Sequence, residues 1–593
     1  MPIAQRLAAL RELMRREKLA AFIFPSTDPH NGEYIPAHWK GREWISGFDG
    51  SAGTAVVTLH SAALWTDSRY FIAAAEQLNG TEYVLMKERL SGTPTIAEWI
   101  ATQLQSGDGT EVGIDGSVCA HSMVESLTEE LRQHGGMTLR TNLDPLREIW
   151  TDRPPIPRQP VVRQPMEYAG EPTRDKLTRI RTALRKQHAD GMLVTALDDI
   201  AWTLNLRGSD VHCNPVFVSY LLIDTQRATL YIYKDKLTPD IVAYLDGEGV
   251  GTDDYDNVSA GLRDYFEYNL LLDPSQTNHM LYQAAAKQRI LPLPSPIPVM
   301  KAVKNEQERL GFRQAMLRDG IAMTKFLTWL LPAVGRGGQT ELSVTARLAQ
   351  LREEQAEYHG PSFDTITAYQ EHGAIVHYEP TAESDIPLKA EGLLLIDSGG
   401  QYTDGTTDIT RTIALGALTD EQRRVYTLVL QGHIRLQMLR FPEGATGTQL
   451  DAIARSALWA HGYNYLHGTG HGVGSFLNVH EGPHQIRMEW KPTPLVPYMT
   501  VTDEPGVYLE GRFGVRIENT LLIVPAEETE CGRFLAFEPL TLCPIDTTPV
   551  IADMLSIDER QWLNDYHRRV RETLSPHLNT EEQQWLKEAT KEI

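Results

Sequence analysis

Two pairs of acidic residues near the end of the chain are embedded in apolar sequence. Asp397 ends the apolar run LLLI, Asp408 precedes ITRTI, and a Gly/Thr/Asp-rich turn separates them. Antiparallel pairing of the two runs would bring both carboxylates to one end of a hairpin. Glu504 stands before Pro-Gly, and Glu518 follows Ile517 on the strand that we predict to return from it. The sequence therefore predicts two hairpins, each of which presents a pair of carboxylates.

These acidic residues admit two interpretations. Acidic side chains at strand ends are commonly solvated turn residues. However, Ile396, Ile409 and Ile517 flank them directly, and a charge within an apolar strand is costly unless it is paired or bound to a metal. Several carboxylates close together repel one another, and a cation removes that repulsion. The flanking residues thus favour a cation site over solvated turns.

Histidines follow in the same part of the chain. His467 and His471 lie in the glycine-rich stretch HGTGHGVG, His480 lies in NVHEGPH, and His377 lies in GAIVHYEP. A single histidine is more often a hydrogen-bonded core or surface group than a ligand, and the glycines could form only a tight loop. Glycines around His471 would also allow the backbone to approach a bound group closely.

Four carboxylates with one histidine make an oxygen-rich donor set. Such a set suits Mn²⁺, Co²⁺ or Fe²⁺ better than a thiolate-bound structural zinc. Two ions about 3.5–4 Å apart, bridged by carboxylates, would activate water and polarise a carbonyl group. The donor set therefore indicates hydrolysis.

Two proline-rich stretches, 152–165 and 291–298, divide the chain that must position these residues. Proline fixes φ and lacks an N–H donor, so we predict that neither stretch is a helix or a central strand. We interpret both as extended connectors. The predicted domains are residues 1–155, 156–303 and 304–593, the last with a helical extension from about residue 545.

The first two domains share one pattern of elements. Each has a charged helix, a short apolar strand, an acidic turn and a second helical piece, with further strands at Thr54–Thr58 and Val216–Ile223. The first helix is amphipathic, because its apolar residues fall at helical spacing: Leu7, Leu10, Leu13 and Met14. We predict two related α/β domains. In the third, Asn305–Glu308 forms a capping-box sequence that opens a helix through about Leu331, and the tail from Ser556 is helical.

Composition excludes several classes of partner. The net charge of −22 repels phosphate backbones and anionic lipid, so we expect neither nucleic acid nor a membrane as a partner. No apolar run approaches the roughly 20 residues of a membrane span, and the N-terminus lacks a signal-peptide pattern. The four cysteines are scattered, which fits a reducing compartment, and we expect a cytoplasmic protein.

The ordered series Asp397, Asp408, His471, Glu504 and Glu518 resembles the ligand set of the pita-bread metallopeptidases. That family includes methionine aminopeptidase, prolidase and Xaa-Pro aminopeptidase, and the strings around the five residues match it closely: LIDSGGQY, TDITRT, HGTGHGVG, NVHEGP, DEPGVY and FGVRIEN. The stretches REWISGFDGSAGTAVVT and NLRGSDVHCNPVFVSY resemble the two N-terminal domains of the long, three-domain Xaa-Pro aminopeptidases. The resemblance implies two creatinase-N-like α/β domains followed by a pita-bread catalytic domain.

The resemblance also implies a role for each ligand. Asp397 binds one ion, His471 and Glu504 bind the other, and Asp408 and Glu518 bridge the two. Glu504 lies where the family places its general base. The two ions are expected to be Mn²⁺, with Co²⁺ or Zn²⁺ as alternatives.

Further residues match the family's substrate-binding positions. His377 and His480 would contact substrate and stabilise the oxyanion. His467 and Tyr508 would line the proline pocket, and Arg516 would orient carboxylates. The implied reaction releases the N-terminal residue from short peptides with proline in second position, and the family pattern implies a homodimer.

Other members of the same fold remain as alternatives. Prolidase shares the ligands but cleaves only dipeptides, and the extra middle domain argues against it. Methionine aminopeptidase lacks both preceding domains. A non-catalytic pita-bread module that binds peptides or proteins, or a creatinase-like hydrolase, would need no metal ligands, whereas this chain keeps all five.

Overall fold

The computed structural model describes residues 1–265, 269–285 and 289–593, which divide into two compact units. Unit 1 comprises Met1–Gln164 and Glu171–Ile297 and holds most of the residues of the two predicted N-terminal domains, whereas residues 165–170 and 298–303 of the second lie in unit 2. Unit 2 comprises Pro165–Gly170 and Pro298–Ile593. No helix in the described ranges is long and apolar enough to span a membrane.

The first half of unit 1 is built around a six-stranded sheet of order β4-β3-β2-β1-β5-β6. Its strands are β1 Ala21–Pro25, β2 Thr54–Thr58, β3 Ala62–Thr66, β4 Tyr83–Lys87, β5 Glu111–Ile114 and β6 Thr138–Arg140. Its helices are α1 Ile3–Glu17, α2 Gly41–Ser46, α3 Phe71–Gln77, α4 Ile96–Gln103, α5 His121–Gln133 and α6 Leu146–Ile149. As predicted, the apolar face of α1 is buried in this core.

The second half of unit 1 repeats this topology in the order β12-β11-β10-β8-β13-β14. Its strands are β7 Val162–Arg163, β8 Gly191–Val194, β9 Leu206–Arg207, β10 Tyr220–Asp224, β11 Ala228–Tyr231, β12 Val250–Asp253, β13 Asn269–Leu271 and β14 Arg289–Leu291. Its helices are α8 Thr173–Lys186, α9 Leu197–Leu204, α10 Pro239–Gly247, α11 Val258–Arg263 and α12 His279–Ala284. The helices on either side of it in the chain, α7 Met166–Ala169 and all but the first residue of α13 Ile297–Ala302, belong to unit 2. Strand directions agree pair by pair with the first sheet, which is what two related domains require.

Two local predictions in this region were wrong. The strand predicted at Val216–Ile223 begins only at Tyr220. The Val218 N–H donates to the Asp210 carboxylate and is therefore not available to pair with a neighbouring strand. The second proline stretch runs into a helix, since α13 includes Pro298. Proline is tolerated there because the first turn of a helix needs no N–H donor.

Unit 2 contains one long helix, several small sheets and a helical tail. Its strands are β15 Tyr358–Pro361, β16 Ile366–Tyr369, β17 Leu393–Ser398, β18 Gly400–Tyr402, β19 Gly405–Thr406, β20 Ile409–Ala414, β21 Arg440–Pro442, β22 Gly470–Gly472, β23 Glu481–Ile486, β24 Thr500–Asp503, β25 Gly506–Leu509, β26 Phe513–Arg516, β27 Asn519–Thr529 and β28 Gly532–Pro539. Its later helices are α14 Glu306–Arg336, α15 Glu341–Glu353, α16 Asp420–Gln437, α17 Gly447–Trp459, α18 Ile557–Leu574 and α19 Thr580–Ala589. The small sheets are β15-β18-β19, β16-β17-β20, β21-β28-β27-β24, β22-β23 and β25-β26.

The predicted capping box opens α14. The Asn305 side chain accepts from the Glu308 N–H, and Glu308 accepts from the Asn305 N–H. The helix runs beyond the predicted end at Leu331 to Arg336. The Asn305 amide also donates to the carbonyl of Ala169 at 2.8 Å, so the short helix α7 is fastened to the start of α14.

The C-terminal tail is tied to the strands of unit 2 through a buried arginine. Arg411 on β20 is 1% exposed and donates to the backbone carbonyls of Glu518, Cys543 and Pro544. It also donates to the hydroxyl of Tyr566 on α18 at 3.0 Å. The tail is therefore part of the core of unit 2.

Candidate metal centre

Strand pairing brings Asp397 and Asp408 together as predicted. In the β17–β20 register, Asp397 faces Thr410 and Ser398 faces Ile409, and Asp408 immediately precedes β20. Both aspartates are buried, with 8% and 4% of their surface exposed. The first predicted hairpin is therefore present, with the small β18–β19 hairpin inserted in its turn.

Glu504 and Glu518 lie at two breaks between strands. Glu504 follows β24, and its N–H donates to the Thr469 carbonyl at 2.8 Å. Glu518 lies between β26 and β27 rather than on a strand, because the chain passes there from one small sheet to another. The Glu518 N–H donates to the Thr410 carbonyl, so Glu518 is bonded to β20, the strand that follows Asp408.

His471 on β22 faces these carboxylates. Its Nδ1 donates to the Gly472 carbonyl at 2.9 Å, so Nε2 faces the acidic groups. Nε2 lies 3.4 Å from Oδ2 of Asp408 and 3.7 Å from Oε1 of Glu504. The donor atoms of Asp408, His471 and Glu518 all lie within 4.8 Å of one another.

Burial and mutual repulsion together shift the pKa values of this cluster. Burial, followed by the charges of Asp408, Asp397 and Glu504, raises the pKa of Glu518 well above its ordinary value. Burial likewise raises the pKa of Asp397, and of Glu504 to about 7. Burial would lower the pKa of His471, but its hydrogen bond to Asp408 and the negative charges raise it to about 9. The cluster thus attracts positive charge.

The residues present fit a divalent cation. Oδ2 of Asp397 accepts a hydrogen bond from Nη2 of Arg516 at 2.6 Å, whereas the buried Oδ1 of Asp397 has no hydrogen-bond partner among the described residues. A buried carboxylate oxygen without a partner is costly. Oxygen donors with one imidazole nitrogen are the ligand types that Mn²⁺ and similar ions accept.

A chain of hydrogen bonds extends from Asp397 to the predicted proline pocket. Arg516 donates from Nη1 to the Tyr508 hydroxyl at 2.8 Å, and that hydroxyl is 2.8 Å from Nε2 of His467. Thr410, which sequence reasoning missed, donates to Oε2 of Glu518 at 2.8 Å and accepts from Nε of Arg516. Its position two residues after Asp408, on the same face of a strand, was a usable signal.

The two remaining histidines differ in their relation to the cluster. The ring of His480 lies 4.3 Å from that of His471 in an edge-to-face arrangement. His377 follows the 3₁₀ helix Gln370–Ala374, which packs against β26, the strand of Arg516. Gly373 and Gly514 approach so closely there that a side chain on either would meet backbone atoms.

Models of known families match almost the whole chain. The model of metallopeptidase family M24 matches residues 311–525, and the C-terminal region of peptidase M24 matches residues 533–593. The creatinase/prolidase N-terminal domain matches twice, at residues 6–149 and 152–308. These matches confirm the predicted fold class of two creatinase-N-like α/β domains followed by a pita-bread domain.

Individual proteins match over the same length. The chain is 38% identical to Xaa-Pro aminopeptidase 1 of Dictyostelium discoideum, covering 100% of this chain and 97% of that one. It is 40% identical to a probable Xaa-Pro aminopeptidase P of Laccaria bicolor, covering 98% and 92%.

Solved structures give the same picture. The X-prolyl aminopeptidase of Caenorhabditis elegans, described as a cytosolic enzyme with a di-nuclear active site, superposes with a TM-score of 0.95 at 35% identity over 100% of both chains. A Xaa-Pro dipeptidase of Bacillus anthracis superposes with a TM-score of 0.51 at 25% identity, over 63% of this chain and 99% of that one.

Proposed function

The chain belongs to the Xaa-Pro aminopeptidases of metallopeptidase family M24 and is a metal-dependent aminopeptidase; we propose that it releases the N-terminal residue from short peptides whose second residue is proline. The resemblance drawn from the sequence motifs is confirmed. A bond to proline nitrogen has no N–H and a constrained geometry, so a dedicated pocket is needed to cleave it.

The main support for this proposal is that several acidic groups converge around an oxygen of Asp397 that has no hydrogen-bond partner among the described residues. Two divalent ions would be held by Asp397 on one side and by His471 and Glu504 on the other, with Asp408 and Glu518 shared between them. Bound there, such ions activate water and polarise the scissile carbonyl.

The protein's own residues would then handle the proton and the substrate. Glu504 takes the proton of the attacking water and passes it to the proline nitrogen, which leaves as an amine. His480 and His377 donate hydrogen bonds to the carbonyl oxygen as negative charge develops on it. His467 and Tyr508 line the proline side, and Arg516 holds Asp397 in place.

Three further features belong to the proposal. The oxygen-rich donor set supports Mn²⁺, ahead of Co²⁺ or Zn²⁺. Exposed apolar side chains on unit 2, such as Leu466 at 61% and Trp490 at 66%, support a homodimer. The cytosolic description of the C. elegans relative supports a cytoplasmic location.

The experiment measures release of arginine from Arg-Pro-Pro by metal-stripped protein with and without Mn²⁺. We expect activity only with metal, and a loss of at least about a hundredfold in kcat/KM for Asp408→Asn, since several kcal/mol of charge stabilisation depend on the site. The matched control is Asp420→Asn, an exposed aspartate at the start of α16.

Two outcomes would contradict the proposal. Cleavage of Ala-Pro but not of Arg-Pro-Pro would identify a prolidase, although the B. anthracis dipeptidase covers only 63% of this chain. Absence of cleavage with Mn²⁺, Co²⁺ and Zn²⁺ would favour a non-catalytic peptide-binding module.

A further inference from the structure

The turn between Asp397 and Asp408 contacts the loop that precedes His480. The turn is the β18–β19 hairpin, in which Gln401 is paired with Thr406. Both side chains are buried, with 3% and 0% of their surface exposed. They point to the backbone of Leu477, a residue of the loop 473–480 that joins His471 to His480.

The contact is a closed ring of three hydrogen bonds. The Leu477 N–H donates to Oγ1 of Thr406 at 3.3 Å. The Thr406 hydroxyl donates to Oε1 of Gln401 at 2.7 Å, and Nε2 of Gln401 donates to the Leu477 carbonyl at 2.8 Å. Each bond fixes the direction of the next, because a hydroxyl has one proton to give and the amide has distinct donor and acceptor ends.

This ring is the attachment of the irregular loop near His480, and a second attachment lies at the loop's start, where Val473 bonds to the Thr500 hydroxyl. Within the loop, the Gly474 N–H donates to the Asn478 carbonyl at 3.0 Å, and Phe476 has a left-handed backbone with φ of 50°. A non-glycine residue in that region is held there by its surroundings. Leu477 lies three residues before His480, so the hydrogen bonds that hold the Leu477 backbone also restrict the position of His480.

We propose that Gln401 and Thr406 are positioning residues for His480, which they hold beside His471 through the backbone of Leu477. The proposal rests on the proposed function, in which His480 donates to the developing oxyanion. In this arrangement one segment of the chain supports two parts of the site. Asp397 and Asp408 lie on either side of the β18–β19 hairpin, and the strands of that hairpin hold the loop 473–480.

Thr406→Val is the sharpest test, because valine keeps the shape and removes only the hydroxyl. It removes the hydroxyl to which the buried Leu477 N–H donates and which donates to Oε1 of Gln401, and this loss favours movement of the loop. We expect kcat to fall about 10- to 100-fold, as displaced catalytic groups generally cause, with two metal ions per chain retained. Thr406→Ser restores the hydroxyl and should recover most of the lost kcat.

Thr324→Val is the matched control for the substitution itself. Thr324 on α14 is fully buried, and its hydroxyl has no hydrogen-bond partner within the described ranges. Removing it changes the same atoms without touching the ring, so kcat should remain that of the unmodified protein.

A double variant separates positioning of His480 from a general loss of structure. If Thr406 acts through His480, Thr406→Val should lower kcat much less in a His480→Ala background than on its own. Independent, multiplying effects would overturn the proposal, and so would a loss of metal in Thr406→Val.

Crystal structures of the unmodified and Thr406→Val proteins test the positioning without relying on activity. A displaced loop 473–480 with His480 moved from His471 is expected, and an unmoved His480 would overturn the proposal. If the unmodified protein fails to cleave Arg-Pro-Pro, the proposed function fails, while the structures still decide whether the ring positions His480.

Discussion

Arg516 holds the carboxylate of Asp397 in place within the metal centre. It is 2% exposed and donates to Asp397, Tyr508 and Thr410 at once. Only a planar guanidinium presents donors in the directions that these three partners require. Its role is therefore geometric as much as electrostatic.

Arg516→Lys should weaken metal binding while keeping the charge. A lysine can satisfy only part of the three-partner arrangement, so Asp397 loses its fixed orientation, and we expect about a 10- to 100-fold loss of Mn²⁺ affinity. A competition titration with a chelating dye measures this. Arg512→Lys, at an exposed residue paired with Glu421, is the control, and equal affinities for both variants would contradict the assigned role.

Clustered carboxylates should make the metal-free protein less stable than the loaded one. At 100 times its dissociation constant, one bound ion adds about 2.7 kcal/mol, so Mn²⁺ should raise the melting temperature. Glu518→Gln should raise the melting temperature of the metal-free protein, because folding raises the pKa of the Glu518 carboxyl and so costs stability at neutral pH, whereas an amide does not titrate. The same substitution should abolish most of the Mn²⁺ effect. A full Mn²⁺ shift in this variant, measured by scanning calorimetry, would exclude Glu518 as a ligand.

The carboxylates of the centre were predictable one by one, but their supports were not. Ile396, Ile409 and Ile517 showed that the acidic residues are buried, and burial of several acids implied a cation. Thr410 escaped notice because a threonine in a strand usually reports only β propensity. Its two side-chain bonds depend on neighbours more than a hundred residues away, Glu518 and Arg516.

At the scale of elements, helix starts were predictable and small sheets were not. The capping sequences at Asn305 and Ser556 open α14 and α18 because the signal is local. The β18–β19 hairpin and the break at Glu518 depend on distant partners, which a pattern along one strand does not contain. For the same reason, Asp210 shortened the strand predicted at Val216–Ile223.

The tail helix α18 should stabilise the strands of the centre through one hydroxyl. Tyr566 accepts from Arg411 at 3.0 Å and donates toward the carbonyl of Cys543 at 2.9 Å. Tyr566→Phe removes one hydrogen-bond partner from each of these buried groups and should cost about 1–3 kcal/mol of unfolding free energy. Urea unfolding measures it. Tyr498→Phe is the control, since that tyrosine lies exposed at the surface, and similar costs for both would count against this role.

At the scale of the whole molecule, buried neutral histidines should set the acid limit of stability. Nε2 of His567 accepts from the Ile545 N–H at 3.1 Å, which a protonated ring cannot do. Burial, aided by the charges of Arg411 and Arg571, lowers the pKa of His567 from 6.5 to about 4. Above pH 6.5 both folded and unfolded forms are neutral, so the contribution of His567 to stability is complete there.

Between pH 6.5 and pH 4 only the unfolded form takes the proton, so stability should fall by up to about 3 kcal/mol from this residue. Below pH 4 the folded form is protonated too, and the loss ends. His567→Gln removes the titration, so the stability difference between it and the unmodified protein should shrink as the pH falls through this window. Parallel urea-midpoint curves from pH 7 to pH 4 would show that His567 does not titrate as described.

The short helix α7 has a consequence for how the chain is made. It belongs to unit 2, yet Glu171–Ile297 of unit 1 separates it from α14, the helix that it caps. During synthesis α7 leaves the ribosome long before α14, so the remainder of unit 1 is synthesised before α7 can contact α14. A C-terminal fragment that starts at Pro298 therefore lacks the segment that bonds to the start of α14, and adding a peptide of residues 163–171 should restore that contact.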